Sequence, residues 1–487
     1  MLSYRKKIKS RNKAYKTIKR CLTLTAAGVI LMTAVFSYLP IPVHAGEINT
    51  ASPTGTALPE TKGDIWPAAP EISAEAAILF EVSTGTTVYS KNATEKYYPA
   101  STTKLMSALL AVERCPLSDV VTMSYEAISS VGWDSSRIGV ISGEKLTMEQ
   151  CLYSILLASA NEVTYAVAEH IGSTSENFVK MMNQRAAELG LVNTNFTNPH
   201  GLHDEYHYTC AYDLALIMKK CIEYTTFCRI SNNHYYEIPP TNLCEESRVI
   251  AQTHQILRKK IKYDGVFAGK TGHTDEAGNC LVTACERDGL QFICVVLKEP
   301  TSESCYTDTI ALFDYGYQNF SKVSMSASDN GTKSNAFPVL FSDEDAFVYE
   351  VSSALSVSEA TVLLPLGASF EDVKNECTLT PLLKTEKGEN VIGTAYFYYA
   401  GVRVGNTEII YTADKEEVLD EAAYYMAQYG NTPEFDQAEY DRIRGILPEP
   451  EPEPEKDLRP MIIGFLTGGV VLILGVVVVL MNNRRQG

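Results

Sequence analysis

The sequence lacks several patterns that identify common protein classes. Its 487 residues contain neither a Cys-x-x-Cys pair nor a His-Glu-x-x-His motif, and no internal repeat stands out. The twelve cysteines are irregularly spaced. Because disulfide-stapled domains and zinc ribbons need regularly paired cysteines, this spacing argues against both. The missing His-Glu-x-x-His motif argues against a zinc peptidase of that type.

A basic surface is also missing. The chain has 42 Lys and Arg against 59 Asp and Glu, a net charge of −17. Nine of the basic residues, and no acidic residue, lie within residues 1–45, so the remainder has 33 basic residues and a net charge of −26. Such a surface repels phosphate backbones, which argues against nucleic acid as a partner.

The basic start of the chain has the order of a secretory signal. An apolar run from Cys21 to Tyr38 follows the basic residues, and Val43-His44-Ala45 comes just before Gly46. This order predicts a signal peptide over residues 1–45 with cleavage after Ala45. An uncleaved N-terminal anchor is the alternative, because the apolar run approaches the length of a membrane span.

A second apolar run lies near the C-terminus. Residues 461–481 contain no charged residue and are rich in Val, Leu, Ile and Gly. Because they are followed by Arg484 and Arg485, we expect one transmembrane helix with residues 482–487 as a cytoplasmic tail. The bulk of the chain would then lie on the extracytoplasmic side of the cell membrane. A buried core helix is the alternative.

Between these ends the chain contains amphipathic helices and short apolar strands. Helical spacing extends from Lys104 to Glu113, and Thr147-Met148-Glu149-Gln150 predicts a capping box at the start of another helix. Three strands are predicted over 265–268, 280–286 and 290–297, the last two joined by a hairpin. Helices and strands segregated in this way predict an α/β chain of the α+β type, with an antiparallel sheet flanked by helices.

Shifts in composition divide the chain into folded units and connecting segments. Thr, Pro and Gly mark a flexible stalk, a polar stretch marks a linker, and a Pro-Glu repeat marks an extended spacer. Short alternating runs after the linker predict a small all-β domain. The predicted order is signal peptide 1–45, stalk 46–70, main domain 71–322, linker 323–336, β-rich domain 337–430, acidic spacer 431–460, transmembrane helix 461–481 and tail 482–487.

Ser-x-x-Lys occurs four times, so context has to identify a meaningful pair. Two copies lie within the signal peptide and Ser142 belongs to a glycine-containing loop, whereas Ser101 opens an apolar helix after Pro99-Ala100. One helical turn separates Ser101 from Lys104, which places hydroxyl and amine on one face. A serine needs an adjacent base to be a nucleophile, and an amine is such a base only when its pKa is lowered. The alternative is a serine helix cap beside a solvated lysine.

Two further motifs carry groups that suit the same chemistry. Lys270-Thr271-Gly272 follows an apolar strand, where a cation would lower the pKa of a nearby amine and hold a carboxylate. Taken alone, the motif is better interpreted as an ordinary strand end with an exposed lysine. Ser159-Ala160-Asn161 lies between two helical segments, where the hydroxyl could relay a proton and the amide could orient a peptide. Ser328-Asp329-Asn330 has a similar form but lies in the polar linker, which would not hold a catalytic group in place.

The order of these motifs resembles a known family. Ser101-Thr102-Thr103-Lys104, Ser159-Ala160-Asn161 and Lys270-Thr271-Gly272 are similar to the motif set of penicillin-binding proteins and class A β-lactamases. Tyr98-Pro99-Ala100-Ser101, Asn198-Pro199-His200-Gly201-Leu202 and Lys270-Thr271-Gly272-His273-Thr274 resemble the D-alanyl-D-alanine carboxypeptidase family, peptidase family S11. The resemblance covers about residues 70 to 320 and implies a β-lactamase/transpeptidase-like domain. Ala160 departs from the Gly or Asp more usual in the family.

The resemblance implies a serine D-alanyl-D-alanine carboxypeptidase, a low-molecular-weight penicillin-binding protein that uses neither cofactor nor metal. Ser101 would attack the carbonyl between the two terminal D-alanines of a peptidoglycan stem peptide, and Lys104 would take its proton. Ser159 and Asn161 would assist the return of the proton and hold the acyl peptide. β-Lactam antibiotics would acylate Ser101 and stay bound.

The same resemblance implies substrate-binding roles for residues 270–273. Lys270 and Thr271 would bind the terminal carboxylate. Gly272 would leave room for a peptide along the strand edge. The backbone N–H groups of Ser101 and His273 would form the oxyanion hole.

Three other interpretations remain open at this point. His200, His203 and His207 with Asp204 suggest a zinc site, although their spacing is loose. A β-lactamase shares the fold, but the β-rich domain and the terminal anchor argue against it. A non-catalytic penicillin-binding sensor would carry a signalling domain across the membrane, and we expect the six residues after Met481 to be too few for one.

Overall fold

The computed structural model describes residues 66–325, 355–357, 360–379, 384–413, 417–418 and 437. The helices of the main domain are α1 Lys104–Arg114, α2 Tyr125–Ser129, α3 Met148–Leu156, α4 Asn161–Gly172, α5 Ser175–Glu188, α6 Ala211–Ile222, α7 Thr225–Ser231 and α8 Ser302–Asn319. Its strands are β1 Ala76–Glu81, β2 Thr87–Lys91, β3 Val120–Thr122, β4 Lys145–Thr147, β5 Tyr235–Ile238, β6 Arg248–Ala251, β7 Val266–Thr274, β8 Gly278–Arg287 and β9 Leu290–Glu299.

Five of these strands form one antiparallel sheet in the order β2-β1-β9-β8-β7. The three strands predicted as neighbours lie side by side in it, and Arg287 pairs with Leu290 across the predicted hairpin. The two-residue turn needs positive φ angles, which Asp288 supplies at 50° and Gly289 at 76°. An antiparallel sheet with segregated helices confirms the predicted α+β class.

The central strands are buried on both faces, so their side chains alternate between two cores. In β1, Ile78 and Phe80 belong to the core shared with α1 and α3, whereas Ala77 and Leu79 belong to the core shared with α8. Burying one large apolar side chain contributes about 1.5–3 kcal/mol to stability. Burial therefore holds both layers on the sheet. Strand β7 lies at one edge of this sheet.

Helices α1 and α3 lie in the interior of the helical layer. α3 begins with the predicted capping box, since the Gln150 N–H donates to the Thr147 hydroxyl and the Thr147 N–H donates to the Gln150 side chain. Every residue of α1 from Lys104 to Ala111 is buried. A lysine at the first position of such a helix is carried into the protein interior.

The second unit is built from strands. Its described strands are β10 Phe320–Met325, β11 Leu355–Val357, β12 Ala360–Pro365, β13 Lys374–Leu379, β14 Lys384–Thr385, β15 Gly388–Tyr399, β16 Val402–Ala413 and β17 Glu417–Val418. Four of them form a sheet in the order β11-β16-β15-β13, and β10 pairs with β12.

Ordered structure continues into both predicted connecting segments, the stalk and the linker. The sequence predicts a linker from residue 323, but β10 continues to Met325 and is hydrogen-bonded to β12. The sequence also predicts a stalk up to residue 70, but Trp66 is buried against Phe320, and its indole N–H donates to the Val88 carbonyl at 3.2 Å. In both cases the partners are distant in sequence, so local composition does not reveal them.

None of the helices in the described part of the chain is long and apolar enough to span a membrane. Several predicted segments fall outside the described residues. These are the signal peptide 1–45, the stalk up to residue 65, linker residues 326–336, the spacer 431–460 apart from residue 437, the transmembrane helix 461–481 and the tail 482–487.

Candidate active site

Ser101 lies in a single turn of 3-10 helix, Ala100–Thr103, that leads directly into α1. The Thr103 hydroxyl donates to the Ala100 carbonyl at 2.8 Å and closes the turn. Ala100 adopts a φ of 47°, a left-handed conformation that is unfavourable for alanine. The strained turn places Ser101, half-buried, one turn ahead of the interior helix rather than at a cap position.

Lys104 is the first residue of α1, and its side chain is fully buried. Its Nζ donates to Ser101 Oγ at 2.9 Å, to Asn161 Oδ1 at 2.6 Å and to the His200 carbonyl at 2.6 Å. When the amine is neutral, its two N–H groups serve the Asn161 and His200 oxygens, and its lone pair is left for the Ser101 hydroxyl. The interpretation of this pair as a helix cap beside a solvated lysine is therefore wrong.

The surroundings of Lys104 favour its neutral form. Burial lowers the pKa of the Lys104 amine well below its ordinary value, and the positive charge of Lys270 lowers this pKa further. The carboxylate of Glu162 acts in the opposite direction and raises it. Because burial is the largest of these effects, the amine is kept neutral with its lone pair free, one hydrogen bond away from the serine hydroxyl that it would deprotonate.

Residues 159–161 form the junction between α3 and α4. Ser159 has a φ of 59°, and the Asn161 N–H donates to the Ser136 carbonyl at 2.9 Å, which fixes the junction in place. The Ser159 hydroxyl accepts a hydrogen bond from Lys270 Nζ at 3.0 Å, while the Asn161 amide oxygen accepts from Lys104. The junction thus connects the two buried lysines.

Lys270 lies inside a strand rather than after one. The sequence predicts a strand end at Ala268, but β7 continues to Thr274 because its residues keep pairing with β8. Lys270 is buried, and its Nζ also donates to the Thr271 carbonyl at 3.0 Å. Burial lowers its pKa to about 7. The interpretation of this motif as a strand end with an exposed lysine is therefore wrong.

Two glycines let the three motifs approach one another. A Cβ on Gly272 would lie 2.9 Å from the Pro99 carbonyl oxygen and 3.1 Å from the Ser101 nitrogen, so β7 passes directly beside the serine turn. Gly201 has a φ of 86°, and a side chain there would overlap the Ala100 carbonyl. Larger residues at either position would push the serine turn away from its partners.

The motifs meet on the wall of one open cleft of about 400 Å³. Thr271 lies on this wall with its hydroxyl 3.0 Å from that of Thr253, and His273 is exposed beside Gly272 on β7. Thr253 belongs to no sequence motif, and only the fold brings it next to Thr271. The lining consists of Ser101, Asp134, Ser135, Ser136, Ser159, Asn161, Gly201, Leu202, Thr253, Thr271, Gly272, His273, Thr274, Asn279, Cys280, Leu281, Ser302, Cys305 and Tyr306.

The residues that suggest a zinc site, His200, His203, Asp204 and His207, are not grouped as ligands. The His207 ring accepts a hydrogen bond from the Thr197 N–H and lies 2.8 Å from the Thr103 hydroxyl, and burial lowers its pKa to about 4. His200 contributes its backbone carbonyl to the Lys104 site. Among the described residues, one group of three potential metal ligands occurs, at Cys115, Asp119 and His170, and it does not line the cleft.

Comparisons with known sequences find one family that matches the region carrying this cleft. Residues 64–301 match peptidase family S11, D-alanyl-D-alanine carboxypeptidase. The D-alanyl-D-alanine carboxypeptidase DacF of Bacillus subtilis is 34% identical over 252 residues, 51% of this chain. DacA of Haemophilus influenzae, another such carboxypeptidase, is 30% identical over 262 residues, 52% of this chain. This chain spans 63% of the length of each of these two relatives.

A solved structure also resembles this fold. Penicillin binding protein 5 from Haemophilus influenzae is 26% identical and superposes with a TM-score of 0.57. The alignment covers 72% of this chain and 99% of that protein. Because the coverage extends past residues 64–301, the similarity includes more than the main domain.

Proposed function

We propose that this chain, whose residues 64–301 match the D-alanyl-D-alanine carboxypeptidase family, removes the terminal D-alanine from peptidoglycan stem peptides through an acyl-enzyme on Ser101. The observation that carries the proposal is the 2.9 Å contact between Ser101 Oγ and the buried amine of Lys104 at an open cleft. Such a pair supplies both a nucleophile and its base.

Acylation begins with neutral Lys104. As its amine takes the hydroxyl proton, Ser101 Oγ attacks the carbonyl carbon between the two D-alanines, and the carbonyl oxygen gains negative charge. The backbone N–H groups of Ser101 and His273 would bind this oxygen, and loss of one such donor typically raises a barrier by about 3 kcal/mol. The proton held by Lys104 then passes through Ser159 to the D-alanine nitrogen as the peptide C–N bond breaks.

Deacylation repeats these steps with water in place of the serine. Lys104 takes a proton from the water as its oxygen attacks the ester carbonyl, and the proton returns to Ser101 Oγ as the ester bond breaks. A β-lactam presents a strained amide next to a carboxylate, so it would acylate Ser101 in the same way. Its ring nitrogen stays attached to the acyl group, and the adduct would remain on the serine.

The terminal carboxylate of the substrate provides the test of this proposal. We expect Lys270→Ala to lower kcat/KM about 10²-fold more for a pentapeptide with a free terminal carboxylate than for the same peptide with a terminal amide, because only the free carboxylate pairs with the ammonium. The released D-alanine or D-alaninamide is measured by chromatography. Lys260→Ala, at an exposed lysine, is the matched control.

Two outcomes of that experiment would contradict the proposal, each in a different part. An equal loss on both peptides would contradict the carboxylate-binding role of Lys270. Failure of the unaltered protein to release D-alanine from the pentapeptide would contradict the proposed activity itself.

The two lysines also predict how activity depends on pH. Lys104 has to be neutral, and burial favours this form by lowering the pKa of its amine well below the ordinary value. Lys270 has to be charged to bind a carboxylate, and its pKa of about 7 means that the charge is lost as the pH rises through that value. We therefore expect kcat/KM, which reports the free enzyme, to fall above about pH 7 for the carboxylate peptide. Initial rates of both peptides between pH 5 and 10 measure this dependence. An equal fall of kcat/KM for the amide peptide would contradict the role given to Lys270.

We further propose that the enzyme is exported and anchored by one C-terminal helix. The support lies in the uncharged apolar segment 461–481, followed by Arg484 and Arg485, and in the basic segment that ends at Ala45. Peptidoglycan lies outside the cytoplasm, so this placement brings the cleft to its proposed substrate.

A further inference from the structure

The cleft has an uneven distribution of charge. Lys270, the lysine that has to be charged to bind a carboxylate, donates to Ser159 on the wall of the cleft, so this part of the site is cationic. Of the described residues that line the cleft, Asp134 alone carries a carboxylate. A peptide that fills the cleft with its terminal carboxylate toward Lys270 therefore meets one negative charge elsewhere on the lining.

The loop that carries Asp134 is compact. The Ser135 hydroxyl and N–H both donate to the Gly132 carbonyl, at 2.7 and 3.2 Å. The Asp134 carboxylate folds over Gly132, because a Cβ on this glycine would lie 2.5 Å from Asp134 Oδ1. Glycine at 132 thus leaves the space that the carboxylate occupies.

The same loop is tied to the catalytic junction. The Asn161 N–H donates to the Ser136 carbonyl at 2.9 Å. The N–H groups of Ile138 and Gly139 donate to the buried Glu162 carboxylate at 2.7 and 3.2 Å. Asn161 and Glu162 are consecutive residues at the start of α4, so the loop is fixed relative to the groups that hold Lys104.

The structure shows no ion pair to Asp134 among the described residues. The nearest basic residue in sequence, Arg137, donates instead to the carbonyls of Ile128 and Val131 at 3.1 Å each and lies over the Trp133 ring. Asp134 is exposed to the cleft. Its charge is therefore available to a cation brought by a ligand.

We propose that Asp134 binds a free ammonium on the side chain of the residue that precedes D-alanyl-D-alanine, so that the enzyme prefers stem peptides with an unmodified diamino acid there. This inference rests on the proposed carboxypeptidase function and names its substrate class. The terminal carboxylate and the side-chain ammonium would together orient the peptide across Ser101 by two opposite charges.

Two lysine peptides test this proposal. One is Nα-acetyl-lysyl-D-alanyl-D-alanine, with a free side-chain ammonium, and the other is its Nα,Nε-diacetyl form, in which the amine is neutral. For the unaltered protein we expect kcat/KM about fivefold higher for the free-amine peptide, the effect of a partly exposed ion pair. In Asp134→Asn this ratio should fall to about one, since the carboxylate charge is gone. The ratio is the readout because a general loss of activity lowers both values equally.

Asp275→Asn is the matched control, because Asp275 is exposed in the β7–β8 turn and does not line the cleft. It should keep the preference of the unaltered protein. Equal turnover of both peptides by the unaltered protein, or a preference that survives in Asp134→Asn, would overturn the inference while leaving the proposed activity intact. Absence of turnover of either peptide would overturn the proposed activity and this inference with it.

Discussion

Replacing Ser101 with alanine is expected to lower the release of D-alanine from a stem pentapeptide by about 10⁴-fold or more, because the attacking oxygen is removed. Covalent labelling by a fluorescent penicillin should disappear as well. The fold should persist, because within the described part of the chain the Ser101 hydroxyl is hydrogen-bonded to Lys104 alone. D-alanine release, gel fluorescence and circular dichroism measure the three effects.

The chain offers a matched control for this substitution. Ser142 and Lys145 repeat the Ser-x-x-Lys pattern, but both side chains are exposed. Ser142→Ala should therefore leave release and labelling unchanged. Labelling that survives in Ser101→Ala would show that another residue is the nucleophile.

Replacing Lys104 with methionine is expected to lower kcat for D-alanine release by about 10³-fold, because general-base assistance to the serine is lost. Methionine keeps a chain of similar length in the interior but cannot accept the proton. Acylation by penicillin should slow by a similar factor, since it uses the same base. Stopped-flow or time-resolved labelling measures that rate.

Loss of stability has to be separated from loss of the base. In Lys104→Met the Asn161 amide oxygen and the His200 carbonyl lose a buried donor, which costs about 1–3 kcal/mol of unfolding free energy. Urea unfolding shows whether the variant remains folded under assay conditions. Lys145→Met, at an exposed lysine, should change neither stability nor rate. Release within tenfold of the unaltered protein in a folded Lys104→Met would mean that another group is the base.

Local sequence patterns predicted much of the fold. The capping box at Thr147, the Asp288-Gly289 hairpin turn and the periodicity of α1 each depend on neighbouring residues, and each appears in the structure. The length of β7 was underestimated because strand extent depends on pairing with β8. The pairing of β10 with β12 and the burial of Trp66 were missed for the same reason.

The candidate site was predicted in part. The spacing of Ser101 and Lys104 predicts a shared helix face, but burial of the amine depends on Asn161 and on the His200 carbonyl, which are remote in sequence. Thr253 has no motif to mark it and becomes a neighbour of Thr271 only through the fold. The catalytic and binding roles of these residues stay predictions until the variants are measured.

Mass spectrometry of the protein after treatment with benzylpenicillin tests the nucleophile most directly. The account predicts a mass increase of one penicillin per chain, and proteolytic mapping should place it on the peptide that contains Ser101. An adduct mapped to a different serine, or no adduct at all from a folded protein, would contradict it.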